Sequence, residues 1–287
     1  MDNDMTFPII DPARVESLMK NRDVVIVDAR GGADALQRYM AGHLEGALRL
    51  DLETELSEKA SDASNGGRHP LPDPKKFAAL LANAGITPSS HILVYDDKAG
   101  ANAAARFWWM MKAAGHSRVQ VIDGGLGALM QEGYAIQTTP TPSRTPAPLY
   151  PVNRWKLPLA NIETVDRARN EKDLLVIDVR EGYRYRGESE PIDSLAGHIP
   201  GAVNIPYLDN LGPEGRFRDA RSLASHYRNA IGNRPVENVI VHCGSGVTAC
   251  HTVLAMEAAG IGTPTLYVGS WSEWSRNAKP IASGEKP

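Results

Sequence analysis

Short runs of aliphatic residues recur along the chain, each bounded by polar residues. Their length and their content of Val, Ile and Leu are typical of strands that are covered on both faces of a parallel sheet. These runs predict strands over Val24–Val27, Ile92–Tyr95, Leu174–Ile177 and Val239–His242. Between the runs, apolar residues recur at helical spacing, which predicts helices over Lys75–Ala84, Ala103–Ala114 and Thr248–Ala259. We therefore predict an α/β fold with a mostly parallel sheet flanked by helices.

The whole pattern occurs twice. Four pairs of segments follow one another in the same order in both halves: VVIVDAR (24–30) and LLVIDVR (174–180), AGHLEGA (41–47) and AGHIPGA (196–202), HILVYDD (91–97) and NVIVHCG (238–244), and VIDGGLGAL (121–129) and LYVGSWSEW (266–274). A repeat of this length indicates a duplicated domain and not the unit of a solenoid. We expect two tandem α/β domains.

A segment rich in Pro and Thr, IQTTPTPSRTPAPLYP (136–151), separates the two halves. Proline lacks a backbone N–H, so the segment suits neither a helix interior nor a central strand. It predicts an extended, rather stiff linker, because the alternative of a surface loop within one domain leaves the repeat unexplained. We expect an N-terminal domain over residues 1–137, a linker over 138–158 and a C-terminal domain over 159–287.

Composition narrows the classes of protein. The 287 residues are 42% hydrophobic and 23% charged, with a net charge of −3, which gives no reason to expect a nucleic-acid or membrane partner. The first residues, MDNDMTFPII, lack the features of a signal peptide, and no apolar run is long enough to span a membrane. The two cysteines are too few for a disulfide framework or a four-thiolate zinc site. We expect a cytoplasmic protein with reduced thiols and no metal.

One of these cysteines, Cys243, follows a predicted strand and precedes a predicted helix. Ligands of parallel sheets bind beyond the carboxyl ends of the strands, which is where Cys243 is expected. We expect Gly244 and Gly246 to take positive φ, so that the N–H groups of residues 245–249 and the start of the helix surround a negative sulfur atom. The alternative is a small core residue, which is our interpretation of Cys250 inside the helix.

Two chemistries use a thiolate in such a loop. The first is phosphate-ester cleavage by the pattern His-Cys-x-x-Gly-x-x-Arg, which the chain matches at His242, Cys243 and Gly246. Ala249 stands where the arginine should be, and without that cation the phosphoryl transition state lacks its charge partner. The second is sulfur transfer through a cysteine persulfide, which requires a nucleophile, an anion-binding loop and an orienting cation but no cofactor.

Over nearly its whole length the chain resembles the two-domain rhodanese-type sulfurtransferases. The resemblance rests on the strand ends DAR (28–30) and DVR (178–180), the paired GHLEGA and GHIPGA segments, CGSGVTAC (243–250) and GSWSEW (269–274). It implies two tandem rhodanese-like domains, of which the C-terminal one is catalytic and the N-terminal one is silent. Asp96 occupies the position in the first repeat that corresponds to Cys243.

Loop sequence separates the donors within this family. Members that use thiosulfate resemble Cys-Arg-Lys-Gly-Val-Thr, whereas members that use 3-mercaptopyruvate resemble Cys-Gly-Ser-Gly-Val-Thr, the form found here. The resemblance therefore implies that 3-mercaptopyruvate binds at the loop formed by Gly244, Ser245, Gly246, Val247 and Thr248. It implies a thiol, thioredoxin or cyanide as acceptor. A thiosulfate sulfurtransferase and a non-catalytic persulfide carrier remain the alternatives.

The resemblance also implies residues outside the loop. A serine–histidine–acid relay would consist of Ser245, His69 in GGRHPLP and Glu53, with Asp51 close by in the sequence. A surface-loop histidine is the alternative for His69.

The carboxylate of a keto acid would be bound by two arginines in this family. Arg184 supplies the first, with Arg186 nearby, and Ile192 stands where the second is expected. An isoleucine cannot replace a guanidinium in such a role, so either Arg186 takes its place, or carboxylate binding is weak, or the preferred donor differs.

Overall fold

The structure, a computed structural model, describes residues 7–59 and 61–287. Residues 1–6, where the predicted N-terminal domain begins and where we expect no signal peptide, lie outside this part. The chain folds into two compact units. The first comprises the residues up to Glu58, Leu71–Lys156 and Pro213–Phe217, and the second comprises Lys59–Pro70, Leu157–Gly212 and Arg218–Pro287.

The first unit is built on a five-stranded parallel sheet. The strands of the whole unit are β1 (Ile9–Ile10), β2 (Val24–Asp28), β3 (His43–Leu44), β4 (Leu48–Arg49), β5 (His91–Tyr95), β6 (Val119–Ile122) and β7 (Ile136–Gln137). The main sheet has the order β1-β6-β5-β2-β4, and β3 pairs with β7 in a small antiparallel sheet. Every residue of the central strands β2 and β5 is buried, which explains why their sequences are apolar throughout and do not alternate.

The helices of the first unit are α1 (Val15–Met19), α2 (Ala35–Ala41), α3 (Pro74–Asn83), α4 (Ala104–Ala114) and α5 (Gly125–Gln131). Helix α3 begins one residue before the predicted start because Pro74 fits the first helical turn and the carboxylate of Asp73 accepts the N–H of Lys75. Residues 106–111 of α4 are all fully buried. A helix with apolar residues on nearly every side suits such a position in the core.

The second unit repeats this architecture. Its strands are β8 (Leu159–Ala160), β9 (Leu175–Asp178), β10 (Val203–Asn204), β11 (Val239–His242) and β12 (Thr265–Tyr267), in the parallel order β10-β9-β11-β12-β8. Its helices are α6 (Ile162–Ala168), α7 (Gly182–Tyr185), α8 (Ala220–Ile231), α9 (Ala249–Ala258) and α10 (Ser270–Trp274). Read from the other edge, this order is β8-β12-β11-β9-β10, which corresponds strand by strand to β1-β6-β5-β2-β4 of the first unit. The predicted α/β fold with two tandem repeats is confirmed.

The repeats also agree in detail. His43 stacks on Tyr39 with the ring centroids 3.6 Å apart, and His198 stacks on Tyr185 at 3.7 Å. In both pairs the Nδ1 atom of the histidine lies within hydrogen-bond distance of the tyrosine's own carbonyl oxygen. The two histidines therefore have equivalent structural roles in the two repeats.

The Pro-rich segment between the repeats begins with a short strand. Ile136 and Gln137 form strand β7, which pairs with β3, and the first proline of the segment, Pro140, lies beyond it. Residues 138–158, all of them described, form no helix or strand. Across the described residues, no helix has the length and apolar character needed to cross a membrane.

Candidate active site

Strand β11 lies between β9 and β12 and delivers Cys243 to the carboxyl edge of the second sheet. The cysteine is 2% exposed. Three hydrogen bonds from α10 hold the peptide groups on either side of its sulfur. The Cys243 N–H donates to Ser270 Oγ at 3.1 Å, the Trp271 N–H donates to Cys243 O at 3.0 Å, and the Ser272 N–H donates to Gly244 O at 2.9 Å. These contacts fix the backbone on either side of the thiol.

Ser270 has an unusual backbone conformation for this role. Its φ angle is +55°, in the left-handed region that favours glycine, and its side chain is fully buried. The corresponding residue of the first repeat is Gly125, with φ at +59°. A serine here bears a conformational cost that glycine would not, and its hydroxyl supplies the acceptor for the Cys243 N–H.

The two glycines of the loop serve different purposes. Gly246 has a φ angle of +74°, and a Cβ atom there would lie 2.5 Å from Val268 O, so only glycine fits. The prediction that Gly244 also takes positive φ is wrong. A Cβ at Gly244 would instead lie 3.3 Å from Arg68 Nη2 and 3.4 Å from Arg184 Nη2. The absence of a side chain at Gly244 leaves room for two guanidinium groups.

The rest of the loop leads into helix α9, which begins at Ala249, one residue after the predicted start, with Thr248 as its N-cap residue. Val247 is buried and Thr248 is half-buried. The positive end of the helix dipole therefore follows directly on the cysteine loop. Cys250 is fully buried, and its Sγ atom lies 3.3 Å from Gly246 O. The prediction that Cys250 is structural is confirmed.

His69 and Ser245 meet in the second unit, because the segment Lys59–Pro70 packs there. The His69 Nδ1 atom lies 2.7 Å from Ser245 Oγ. Ser245 is buried and follows the nucleophile by two positions. A hydroxyl held by an imidazole close to a thiol is suited to moving a proton.

The acid expected in the relay lies in the first unit. Glu53 is exposed, and its backbone N–H donates to Asp51 Oδ1 at 2.9 Å. The same carboxylate oxygen accepts the N–H and the hydroxyl of Thr54, and Oδ2 pairs with Arg49. Asp51 therefore caps a local turn. The role of Glu53 in the relay stays a prediction.

Arg184 lies at the end of α7 and is nearly buried. Its Nη2 and Nε atoms donate to the two carboxylate oxygens of Glu190 at 2.7 and 3.2 Å, and Glu181 lies 3.6 Å from Nη1. Burial acts to lower the pKa of Arg184, but the bond to Glu190, the charge of Glu181 and the charge of Cys243 outweigh it and raise the pKa. Arg184 is therefore a permanent cation close to the nucleophile.

The other two positions that the sequence associates with donor binding lie further out. The Arg186 side chain is 34% exposed and pairs with Glu188 at 2.6 Å. Ile192 is 56% exposed, and its backbone N–H donates to Glu190 Oε1 at 3.1 Å. Ile192 contributes through its backbone to holding Glu190, and through Glu190 to holding Arg184.

Sequence reasoning missed a group of charges beside the loop. Asp193 is buried, and its Oδ1 atom pairs with Arg68 and, at 2.7 Å, with Arg276. Its Oδ2 atom lies 3.9 Å from Arg184. The only sequence signal for this group was the position of Arg68 directly before His69.

Behind the nucleophile the charges are structural. Asp178 binds Arg180, whose guanidinium also donates to Gly197 O at 2.7 Å and lies 4.7 Å from the ring centroid of Trp271. His242 is fully buried, with its Nε2 atom 3.9 Å from Asp178. Burial lowers the pKa of His242, with the charge of Asp178 opposing it. The imidazole before Cys243 is therefore neutral.

The first unit shows what the same loop does without a cysteine. Asp96 is fully buried, and its carboxylate accepts four backbone N–H groups: those of Lys98 and Gly100 at 2.8 Å, Asn102 at 2.9 Å and Ala104 at 3.1 Å. The Leu126 N–H donates to Asp96 O at 2.9 Å, as the Trp271 N–H does to Cys243 O. This loop is an anion nest that a carboxylate of the chain already fills.

Comparisons with known proteins agree with this arrangement. The model of the family described as rhodanese-like domain matches residues 11–132 and 161–277. The chain is 36% identical over 283 residues to a probable 3-mercaptopyruvate sulfurtransferase of Pseudomonas aeruginosa, covering 96% of this chain and 98% of the relative. It is 35% identical over 292 residues to a putative thiosulfate sulfurtransferase of Mycobacterium tuberculosis, covering 96% and 97%. The solved 3-mercaptopyruvate sulfurtransferase from Leishmania major superposes with a TM-score of 0.81 at 28% identity, covering 93% of this chain and 74% of that one.

Proposed function

Because the chain belongs to the rhodanese family of sulfurtransferases, we propose that it transfers sulfur from 3-mercaptopyruvate, through a persulfide on Cys243, to a thiol or cyanide acceptor. The observation that carries the choice of donor is the loop itself. Gly244 and Ser245 add no charge, Ser245 binds His69, and the nearby cations suit a carboxylate. The second unit is catalytic in this proposal, and the first is silent because Asp96 fills its nest.

In the first half-reaction the Cys243 thiolate attacks the sulfur of 3-mercaptopyruvate. A sulfur–sulfur bond forms, the carbon–sulfur bond breaks, and its electron pair leaves on the enolate of pyruvate. Ser245, hydrogen-bonded to His69, supplies the proton that turns the enolate into pyruvate. Arg184 binds the donor carboxylate, and the backbone of residues 245–249 with the start of α9 stabilises the persulfide.

In the second half-reaction an acceptor thiolate or cyanide attacks the outer sulfur of the persulfide. The sulfur–sulfur bond breaks and the Cys243 thiolate is released for another turnover. The acceptor is a low-molecular-weight thiol, thioredoxin or cyanide. We place the reaction in the cytoplasm, where such thiols are reduced.

Thiosulfate is the second candidate donor. Ile192 in place of an arginine favours it, and one relative bears that activity in its name. A carrier that accepts sulfur without catalytic turnover is the third candidate. Neither accounts for the uncharged Gly244–Ser245 pair together with the contact between Ser245 and His69.

The deciding experiment compares kcat/KM for 3-mercaptopyruvate and thiosulfate, each with cyanide and with a thiol acceptor. Intact-protein mass spectrometry after exposure to each donor detects the added sulfur atom. We expect a preference for 3-mercaptopyruvate and an added sulfur that Cys243→Ser lacks. A preference for thiosulfate would overturn the donor, and a persulfide without turnover would support the carrier.

A further inference from the structure

We propose that Arg68 supplies the second guanidinium that binds the donor carboxylate, in place of the arginine absent at Ile192. The inference rests on the proposed function and names a specificity-determining residue for it. The pair of cations thus comes from two distant parts of the sequence, Arg68 in GGRHPLP and Arg184 in α7.

The geometry around Gly244 carries the proposal. The Nη2 atoms of Arg68 and Arg184 lie 3.3 and 3.4 Å from the position that a Cβ of Gly244 would occupy. Both guanidinium groups therefore face the residue next to the nucleophile. A carboxylate has two oxygens, and two guanidinium groups that converge on one point can each donate to one of them.

The hydrogen bonds of Arg68 leave it free to bind a ligand. Its Nη1 atom pairs with Asp193, which fixes the direction of the side chain. Among residues 7–59 and 61–287, the Nη2 atom that faces Gly244 has no hydrogen-bond partner. Asp193 also pairs with Arg276 and lies 3.9 Å from Arg184, which itself pairs with Glu190. A donor carboxylate would gain a charged hydrogen bond from the Nη2 atom of Arg68.

The segment that bears Arg68 is held in place by α10, the same helix that holds Cys243. The Gly66 N–H donates to Glu273 at 2.8 Å, and the Arg68 N–H donates to Ser272 Oγ at 3.0 Å. Gly67 has a φ angle of +79°, and a Cβ there would lie 2.4 Å from Gly269 O. Arg68 is therefore preorganised, which reduces the entropy that donor binding costs.

The position of Arg68 also orients the donor. Its neighbour in the chain is His69, which contacts Ser245. A carboxylate held between Arg68 and Arg184 places the adjacent keto group and methylene carbon close to the hydroxyl that supplies the proton. Ile192, in contrast, is 56% exposed and contacts Glu190 through its backbone N–H.

The test measures KM and kcat for 3-mercaptopyruvate in Arg68→Ala, and the inhibition constant of pyruvate, an unreactive carboxylate. Loss of a charged hydrogen bond to the carboxylate should raise both KM and the inhibition constant about 10- to 100-fold. We expect kcat to change much less. Arg68→Lys retains the ion pair with Asp193 but not the planar fork, so it should give a smaller rise in a fully folded protein.

Two further variants separate binding from structure. Arg276→Ala removes the other guanidinium from the same Asp193 oxygen, and an equal rise in KM there would show that Arg68 acts only through Asp193. The double variant Arg68→Ala with Ile192→Arg should recover most of the lost affinity for pyruvate. An unchanged KM in Arg68→Ala, or a fall confined to kcat, would overturn the proposal.

The failure of this proposal differs from the failure of the proposed function. If the wild type prefers thiosulfate, the donor proposal fails and the keto-acid role of Arg68 fails with it. If the wild type uses 3-mercaptopyruvate and Arg68→Ala binds pyruvate normally, only the role of Arg68 fails. Arg167→Ala, which removes an exposed arginine of α6, serves as the control for a general loss of charge.

Discussion

His69 Nδ1 lies 2.7 Å from Ser245 Oγ, although the two residues are 176 positions apart in the chain. The contact places an imidazole behind a hydroxyl that is two residues from the nucleophile. Such an arrangement has no evident value for packing in a half-buried loop. Under the proposed function, this pair transfers a proton to the enolate leaving group.

Ser245→Ala and His69→Asn should each lower kcat for 3-mercaptopyruvate about 100-fold, because either change removes the proton donor from the enolate. KM should change little. The double variant should be no slower than the slower single variant, since the two side chains act as one unit. Additive losses, or a kcat that stays normal in either variant, would contradict the relay.

Arg184→Ala should raise KM for 3-mercaptopyruvate about 10-fold or more, because it removes a buried cation next to Gly244. Arg186→Ala is the informative comparison, since that side chain is more exposed and pairs with Glu188. We expect the larger rise for Arg184. If KM rose only in Arg186→Ala, Arg186 and not Arg184 would be the arginine that binds the donor carboxylate.

Asp96→Ala should lower the free energy of unfolding by about 3–5 kcal/mol, because four buried N–H groups would lose their acceptor. Sulfur transfer by the protein that remains folded should be unaffected. Chemical denaturation and kcat on the same preparations test both statements. Asp34→Ala, at an exposed position of the same unit, serves as control. Full stability in Asp96→Ala would show that the loop does not depend on an anion.

Ser270 can be tested with two substitutions that separate strain from hydrogen bonding. Ser270→Gly removes both the hydroxyl and the left-handed strain of about 1 kcal/mol, whereas Ser270→Ala removes the hydroxyl and keeps the strain. Both variants should lower kcat, because the Cys243 N–H loses its acceptor. Ser270→Ala should have the lower Tm of the two. Normal kcat in both would leave the hydroxyl without a role in positioning Cys243.

Acid should destabilise the protein through its buried histidines. Burial lowers the pKa of His91, with the hydrogen bond to Gln120 opposing it, from an ordinary value of 6.5. Below pH 6.5 the unfolded chain therefore binds a proton that the folded protein does not, and stability is lost as the pH falls. Each such histidine accounts for up to about 1.4 kcal/mol between pH 7.5 and 5.5.

Urea unfolding of the wild type and of His91→Gln at both pH values checks this sign. Carboxyl groups titrate in both proteins, so the difference between the two proteins isolates the histidine. The variant should lose less stability on acidification. If both proteins lost the same stability on acidification, His91 would bind its proton equally well in the folded and the unfolded state.

The sequence predicted much of this arrangement where the cause was local. Strand β11 matched its prediction from end to end because a buried parallel strand requires a continuous apolar run. The repeat then identified Asp96 and Cys243 as equivalent, and family membership is confirmed by the match to both halves. The resemblance to the family also identified Ile192 as a departure from the family's pattern.

The features that the sequence did not reveal depend on contacts between distant segments. Gly244 was predicted to take positive φ, but its purpose is to leave space for side chains that approach from elsewhere. Apart from its place directly before His69, the sequence did not indicate the position of Arg68, because the turn that carries it is held by α10, more than 200 residues away. Periodicity describes one segment at a time and cannot anticipate such contacts.

The packing of the segment Lys59–Pro70 limits where the chain can be divided into independent parts. This segment belongs to the first repeat by sequence and to the second unit by packing. A cut at the junction of the repeats would separate Arg68 and His69 from Cys243 and Ser245. Under the proposed function, the second repeat expressed alone should therefore be inactive.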